Sequence, residues 1–313
     1  MEYIHCGRII KGVGGLYHVK PFATASLPPE LADMGIIPCR AKGAFRHENL
    51  TPLVGDVVSL EPETDGALIT DIAPRKNALI RPPLANLDYM FVTFAAAKPA
   101  PVLETVDKLI CILEHNGITP VVVITKQDAA PERADALADI YRTAGFDTFL
   151  TSAKSGQGVE EIKQFVKTRC DGSISAFAGA SGVGKSTLLN ALFPSLALST
   201  GEISRKIERG KHTTRTVELF DMPQTENGYI ADTPGFSMLD FARFDFFKKE
   251  DLPLTMREFA PYLGQCRFTK CSHTKEQGCA VLAAVKRGEI PPSRHQSFVA
   301  IFDVLKNKHE WDS

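Results

Sequence analysis

Eight consecutive residues, Gly179, Ala180, Ser181, Gly182, Val183, Gly184, Lys185 and Ser186, satisfy the pattern G-x-x-x-x-G-K-[ST] in full. Glycines at those spacings let the backbone curl so that successive N–H groups and a helix N-terminus face phosphate oxygens. Lys185 then bridges the outer phosphates, and Ser186, with Thr187 behind it, is placed to ligate magnesium. The apolar run 174–178 predicts a strand entering this loop and residues 187–192 a helix leaving it, the flanking that such chemistry needs. The loop specifies nucleotide phosphates without specifying the base.

The base is read elsewhere. Residues 120–128 run from an apolar stretch into Thr125, Lys126, Gln127 and Asp128. They predict a buried parallel strand that delivers a carboxylate to the carboxyl edge of a sheet, where ligands bind in open α/β folds. A carboxylate there accepts hydrogen bonds from guanine N1–H and the 2-amino group, which adenine lacks, while the Lys126 stem lies along base and sugar. Ser152, Ala153 and Lys154 form a second base-contacting segment.

Two more pieces belong with these. Asp232, Thr233, Pro234 and Gly235 follow the short apolar run 229–231. A carboxylate at that strand end holds magnesium through water, and the Gly235 N–H meets the γ-phosphate. The segment 209–215 offers Thr213 and Thr214, one of which supplies the hydroxyl that magnesium needs in the triphosphate state. Near the C-terminus, Cys266-x4-Cys271-x-His273-x5-Cys279 gathers three sulfurs and an imidazole within fourteen residues. A Cys₃His set suits tetrahedral structural Zn²⁺ with no open coordination position.

The order is unusual, since the base segments at 125–128 and 152–154 precede the phosphate loop at 179–186. With that order the chain resembles the circularly permuted GTPases, and most closely the ribosome small-subunit-dependent GTPase family of bacterial assembly factors. The resemblance covers most of the chain. It is carried by Thr125 to Asp128, Ser152 to Lys154, Gly179 to Thr187, the His212-Thr213-Thr214 loop, Asp232 to Gly235 and the cysteine-histidine cluster. It implies GTP as substrate and GDP as product, Mg²⁺ at the nucleotide, one structural Zn²⁺ at Cys266, Cys271, His273 and Cys279, and the small ribosomal subunit with its rRNA as partner. Thr125 stands where asparagine is commoner in GTPases, which leaves Asp128 to specify guanine.

Ordinary small GTPases place a glutamine after Asp-x-x-Gly to orient the attacking water, whereas this chain has Phe236. His212, beside the magnesium threonines, is the catalytic candidate because an imidazole orients water or takes a proton near neutral pH; a solvent-facing or RNA-contacting role is the alternative. Slow hydrolysis alone and faster hydrolysis on a partner that orders the loop are the expected behaviour.

Elements must position these residues. Residues 1–75 read as short strands broken by turns, at 6–11, 16–20 and 54–60, which suits a small β-barrel. The resemblance makes it an OB-fold and an RNA-binding candidate. From 76 to 240, strands such as 87–94 alternate with helices at 102–115 and 132–143, the pattern of a parallel sheet carrying the permuted P-loop GTPase motifs. Residues 241–313 form a zinc-binding helical unit that closes on a helix at 297–307, with Phe298, Ile301, Phe302 and Leu305 as core. The expected fold is thus multi-domain: an N-terminal β-barrel, a central α/β GTPase domain and the C-terminal unit. Because Gly235 leads directly into that last unit, nucleotide state is expected to reorient it.

A formal net charge of -1 lacks the broad basic signature of a nucleic-acid binder, so RNA contact falls to local patches such as Arg205, Lys206, Arg209, Lys211 and Arg215. Cys6, Cys39, Cys111 and Cys170 stand singly in apolar contexts and read as buried thiols. An odd total of seven cysteines, no secretory leader and no membrane-length apolar run point to a reduced cytoplasmic protein, expected as a monomer and away from membranes. A metabolic P-loop NTP-dependent enzyme and an RNA-binding protein with a vestigial nucleotide site are the alternatives; no second substrate pocket is evident for the former, and intact Lys185, Ser186, Asp232 and Asp128 speak against the latter.

Overall fold

Alternate residues of the N-terminal strands are buried in pairs, Ile37 with Cys39, Val58 with Leu60 and Ala67 with Ile69, the period of two that turns one face of a strand inward. A computed structural model of the chain describes residues 3–25, 27–47, 50–79, 83–194, 196, 217–232 and 248–307. The expected catalytic and switch residues His212, Thr213, Thr214 and Gly235, and the basic patch at 205–215, lie outside the described residues; Asp232 is described only as the last residue of a strand.

Those N-terminal strands are β1 (Tyr3–Val13), β2 (Leu16–Pro21), β3 (Ile37–Ala41), β4 (Val57–Glu63) and β5 (Gly66–Ile72), with short helical turns α1 (Pro29–Ala32) and α2 (Ala44–His47) between them. β1 pairs β2, β2 pairs β3, β3 pairs β5 in parallel, β5 pairs β4, and β4 returns to β1. That circuit closes a five-stranded barrel of OB type and leaves it no free edge. A hairpin of β6 (Ala78–Leu79) and β7 (Leu84–Ala85) follows. Asp56 at the β4 entry is fully buried; it accepts from the Leu53 N–H and pairs with Arg75 at 2.7 Å, which fixes the turn.

The described residues fall into two compact units, the first made of 3–88, 170–176 and 217–232. Besides the barrel it contains the antiparallel pair β12 (Glu218–Asp221) and β13 (Tyr229–Asp232). β12 meets β1 at Glu218↔Lys11, where the two side chains also form an ion pair of 2.7 Å, and Asp221 pairs with Lys20 at 2.6 Å.

The second unit comprises 89–169, 177–194, 196 and 248–307 of the described residues. β8 (Tyr89–Ala95), β9 (Thr119–Thr125) and β10 (Thr148–Leu150) run parallel in the order β10-β9-β8, and next to β8 lies β11 (Ile174–Gly179), whose last three residues belong here. Val121 to Ile124 are all fully buried, as expected of strands covered on both faces. The connecting helices are α3 (Leu103–His115), α4 (Pro131–Thr143), α5 (Val159–Arg169) and α6 (Lys185–Leu192).

α3 is buried nearly all round, at Val106, Asp107, Leu109, Ile110, Cys111, Ile112 and Leu113. A helix covered on every side needs a second layer, and the C-terminal residues supply it. Leu252, Met256, Phe259, Val281, Ala284, Ile290, Phe298 and Ile301 form one apolar cluster with Cys111 of α3. Phe298, Ile301, Phe302 and Leu305 face this core as the sequence led us to expect, but their helix, α8 (Pro292–Lys306), starts earlier than 297, at a proline suited to a first turn. α7 (Ala280–Arg287) precedes it. At the centre of this layer Arg294, with no exposed surface, bonds Asp107 of α3 and Glu258, each at 2.7 Å.

Candidate nucleotide and metal sites

The strand β9 stops at Thr125, three residues short of the expected Asp128. Lys126 turns into the left-handed region with φ 58°, and Gln127–Ala129 form a single 3-10 turn. The reason is tertiary. In that conformation the Lys126 ammonium donates to Lys98 O at 2.6 Å and to Gly182 O at 2.8 Å, which ties the loop after β9 to the loop after β8 and to the phosphate loop. The Thr125 hydroxyl makes a second tie at 2.5 Å to Val183 O. Asp128 is thereby left on the surface with an exposed carboxylate, and Gln127 donates its backbone N–H to Thr151 O at 3.1 Å.

The next loop follows β10. Ser152 is buried, and its hydroxyl accepts from the Ser155 N–H while its carbonyl accepts from the Gly156 N–H, so that Ala153 is half-buried and Lys154 exposed at the rim. The phosphate loop starts at Gly179, where a Cβ would lie 2.5 Å from Thr93 O; only glycine lets β11 lie that close to β8. Gly182 and Gly184, at φ 78° and 98°, turn the chain, Val183 anchors the loop in the core, and Ala180, Ser181, Ser186 and Thr187 reach the surface to varying degrees.

Lys185 tests whether this loop fits an anion. Its ammonium lies 3.3 Å from Gly179 O, burial pushes its pKa down, and among the described residues no carboxylate pairs with it. A half-buried cation with no counter-charge among the described residues, at the first turn of a helix and beside a left-handed glycine loop, suits the phosphates of a nucleotide. The Lys126 and Thr125 bonds thus hold the loop after β9 against the phosphate loop, and the Gln127 N–H links it to the loop after β10 that carries Ser152, Ala153 and Lys154, with Asp128 and Lys154 on the surface. The sequence did not reveal Lys98, whose part is played by a backbone carbonyl, nor Thr151, which precedes the recognised triplet.

In the second cluster the ligand atoms of Cys266, Cys271, His273 and Cys279 all lie within 4.8 Å of one another. His273 Nδ1 is 3.5 Å from the sulfurs of Cys266 and Cys279, which are 3.8 Å apart. A tetrahedral Zn²⁺ with bonds of about 2.3 Å to sulfur and about 2.0 Å to nitrogen spaces its ligands about 3.5–3.8 Å apart, so the four residues fit that ion. The backbone N–H groups of Ala280 and Leu282 point at the sulfurs of Cys266 and Cys279. His273 takes φ 58°, and the His295 ring nitrogen lies 2.8 Å from its carbonyl. Glu276, missed in the sequence, accepts from the N–H groups of Ser272, Thr274 and Lys275 and from the Ser272 hydroxyl; although burial pushes its pKa up, these bonds hold it at about 2, and they fold the loop around the ligands. Burial pushes the Cys271 thiol up to about 12, so a bound cation is what would favour its thiolate. The chain purified without chelator should carry one zinc, and Cys271→Ser should lose it by elemental analysis; a zinc-free unmodified chain would refute the assignment. Cys6, Cys39, Cys111 and Cys170 are buried single thiols, as expected, and burial pushes both Cys39 and Cys111 up to about 12.

The RsgA GTPase domain model matches residues 72–242, and the RsgA N-terminal domain model matches residues 6–68. The small ribosomal subunit biogenesis GTPase RsgA of Caldanaerobacter subterraneus subsp. tengcongensis is 42% identical over 313 residues, covering 99% of this chain and 98% of that protein. The protein of the same name from Bacillus pumilus is 39% identical over 308 residues, or 96% of this chain and 98% of its own. Among solved structures, YjeQ from Thermotoga maritima is similar with a TM-score of 0.80 at 31% identity over 99% of this chain and 100% of that one. YloQ, described as a circularly permuted GTPase, gives 0.75 at 34% identity over 97% and 95%.

Proposed function

Because the chain belongs to the RsgA family of GTPases, we propose that it hydrolyses GTP as an assembly factor of the small ribosomal subunit, binding that particle and its rRNA late in maturation and turning over faster when bound. The observation that supports this reading is the pair of bonds from Thr125 and Lys126 to the carbonyls of Val183 and Gly182, which hold the segment that carries Asp128 against the phosphate loop. Asp128 accepts from the guanine edge, Lys126 lies along base and sugar, and Ser152, Ala153 and Lys154 close the base side. Gly179 to Thr187 cradle the phosphates, with Lys185 on the outer ones. Magnesium, when bound, neutralises the phosphate oxygens; Ser186, Thr213 or Thr214, and Asp232 through water are the residues that would hold it. The Gly235 N–H would meet the γ-phosphate, and His212 would orient the attacking water.

In the same reading residues 1–75 form the RNA-binding barrel, 76–240 the GTPase domain and 241–313 the zinc-bearing domain, acting as a monomer in the cytoplasm. No helix among the described residues is long and apolar enough to cross a membrane. The test is turnover with and without purified small subunits, in the unmodified chain and in His212→Ala. Stimulation by the subunit, displacement of labelled guanine nucleotide by GTP but not ATP, and loss of stimulated turnover in the variant are expected. A subunit that leaves turnover unchanged would remove the proposed partner, and unchanged stimulation in the variant would remove His212.

A further inference from the structure

Resting on the reading of residues 1–75 as the RNA-binding barrel, we infer that Glu218 and Asp221 of β12 occupy two phosphate-binding lysines of the barrel, Lys11 and Lys20, as stand-ins for RNA phosphates that docking must displace. From Tyr3 to Pro21, the span of β1, its turn and β2, the chain carries Arg8, Lys11 and Lys20 and no aspartate or glutamate, although its formal net charge is -1. Such a stretch is a local patch suited to a polyanion. β12, by contrast, reads Glu-Leu-Phe-Asp, and it lies antiparallel to β1 in the register Lys11↔Glu218. Lys11 Nζ is 2.7 Å from Glu218 Oε2, and Lys20 Nζ is 2.6 Å from Asp221 Oδ1. Each lysine thus holds one carboxylate oxygen, the contact that a phosphate oxygen makes with an ammonium.

A third cation is left over. Arg8, opposite Lys20 in the β1–β2 ladder, donates to Gly55 O at 3.1 Å, and its Nε is buried with no hydrogen-bond partner among the described residues. Arg8 and Lys20 both lie 5.6 Å from the Tyr229 ring centre, on β13. The other carboxylates that bear on Arg8, Asp56 and Asp88, are engaged by Arg75 and Lys76. The two lysine pairs are open to water, with side-chain exposures of 37% and 31% for Lys11 and Glu218 and of 35% and 70% for Lys20 and Asp221. Pairs this exposed are each worth less than about fivefold in an equilibrium, so a polyanion that brings several phosphates at once displaces them. β12 and β13 form one antiparallel hairpin: the expected switch segment 209–215 leads into its first strand, and Asp232, proposed to hold magnesium through water, ends its second. In the GDP state the hairpin keeps the lysines; a triphosphate with magnesium engages its ends and releases them, which links nucleotide state to RNA affinity.

The experiment titrates the fluorescently labelled full chain with purified small subunits, in GDP and in guanylyl imidodiphosphate, over a range of salt. E218Q/D221N should bind about fivefold more tightly than the unmodified chain in GDP and within about twofold of it in the triphosphate analogue. K11Q/K20Q should bind about tenfold more weakly with either nucleotide, with a logarithmic salt slope shallower by about 1–2. Opposite effects from the two ends of the same bonds separate competition from a structural role, which would weaken binding from both ends. Unchanged or weaker binding of E218Q/D221N in GDP, a gain of equal size with both nucleotides, or unchanged binding of K11Q/K20Q would each overturn the assignment. If E218Q/D221N does not fold, D221N, at the most exposed of the four side chains, takes its place: a gain of about twofold in GDP is expected, and no gain overturns the inference. An unmodified chain that fails to bind the subunit with either nucleotide would instead remove the proposed partner.

Discussion

Lys185→Ala should reduce GTP turnover by about 10²–10³-fold while leaving the protein folded. Among the described residues the half-buried ammonium bonds only the Gly179 carbonyl, at 3.3 Å, and burial already disfavours its charged form. Removing it thus takes away a cation that burial disfavours, so the thermal midpoint without nucleotide should stay level or rise. With GTP bound the balance reverses, because the charge that develops on the transferring phosphoryl group loses its nearest fixed partner. Phosphate release measured with saturating GTP checks the first claim, and the nucleotide-free melting curve checks the second. Turnover within tenfold of the unmodified chain would show that Lys185 does not face the reacting phosphate.

Arg294→Met should cost about 3–5 kcal/mol, the largest stability effect expected of a single substitution here. The guanidinium is fully buried; burial pulls its pKa down, and Asp107 and Glu258 more than reverse that, holding it well above the ordinary range. It bonds Asp107 Oδ1 and Glu258 Oε1 at 2.7 Å each, and its Cζ lies 5.3 Å from the Phe146 ring centre. Asp107 also accepts from the Tyr141 hydroxyl at 3.0 Å. Methionine fills much of the volume but strands two carboxylates in a layer with no water to solvate them. A triple variant that also carries Asp107→Asn and Glu258→Gln should recover most of the loss, because the penalty comes from uncompensated charge and not from a missing attraction. Urea midpoints of the three proteins decide it; a single variant that costs under 1 kcal/mol would mean that solvent reaches this layer.

The parts of the site that were legible in the sequence are those whose chemistry demands contiguous residues. Phosphate binding needs glycines, a lysine and a hydroxyl at fixed offsets along one turn, and metal binding needs four ligands close in the chain, so residues 179–187 and the Cys266 to Cys279 cluster could be read directly. Contacts made by backbone atoms could not. Lys98 serves the pocket through its carbonyl, which any residue would present, and the end of β9 at Thr125 is decided by where Lys126 finds its two acceptors. The barrel strands were readable from their alternation, but the parallel β3–β5 pairing and the return of β4 to β1 join segments that no local pattern links. The early part of α8 was missed for a related reason: Arg294 and His295 are polar residues that happen to be buried, and an apolar stripe does not reveal them.

Deletion at the last strand of the first unit would be no clean excision. The flank of α3 around Cys111 is roofed by Met256, Phe259, Phe298 and Ile301, all of which come after Asp232 in the chain. A polypeptide stopped there would retain every residue proposed to contact the nucleotide except Gly235, yet would present that helix to water as a greasy, unroofed wall with Asp107 shorn of its guanidinium. The tail is thus masonry for the catalytic half, and its cysteines inherit a second duty: keeping the roof in shape.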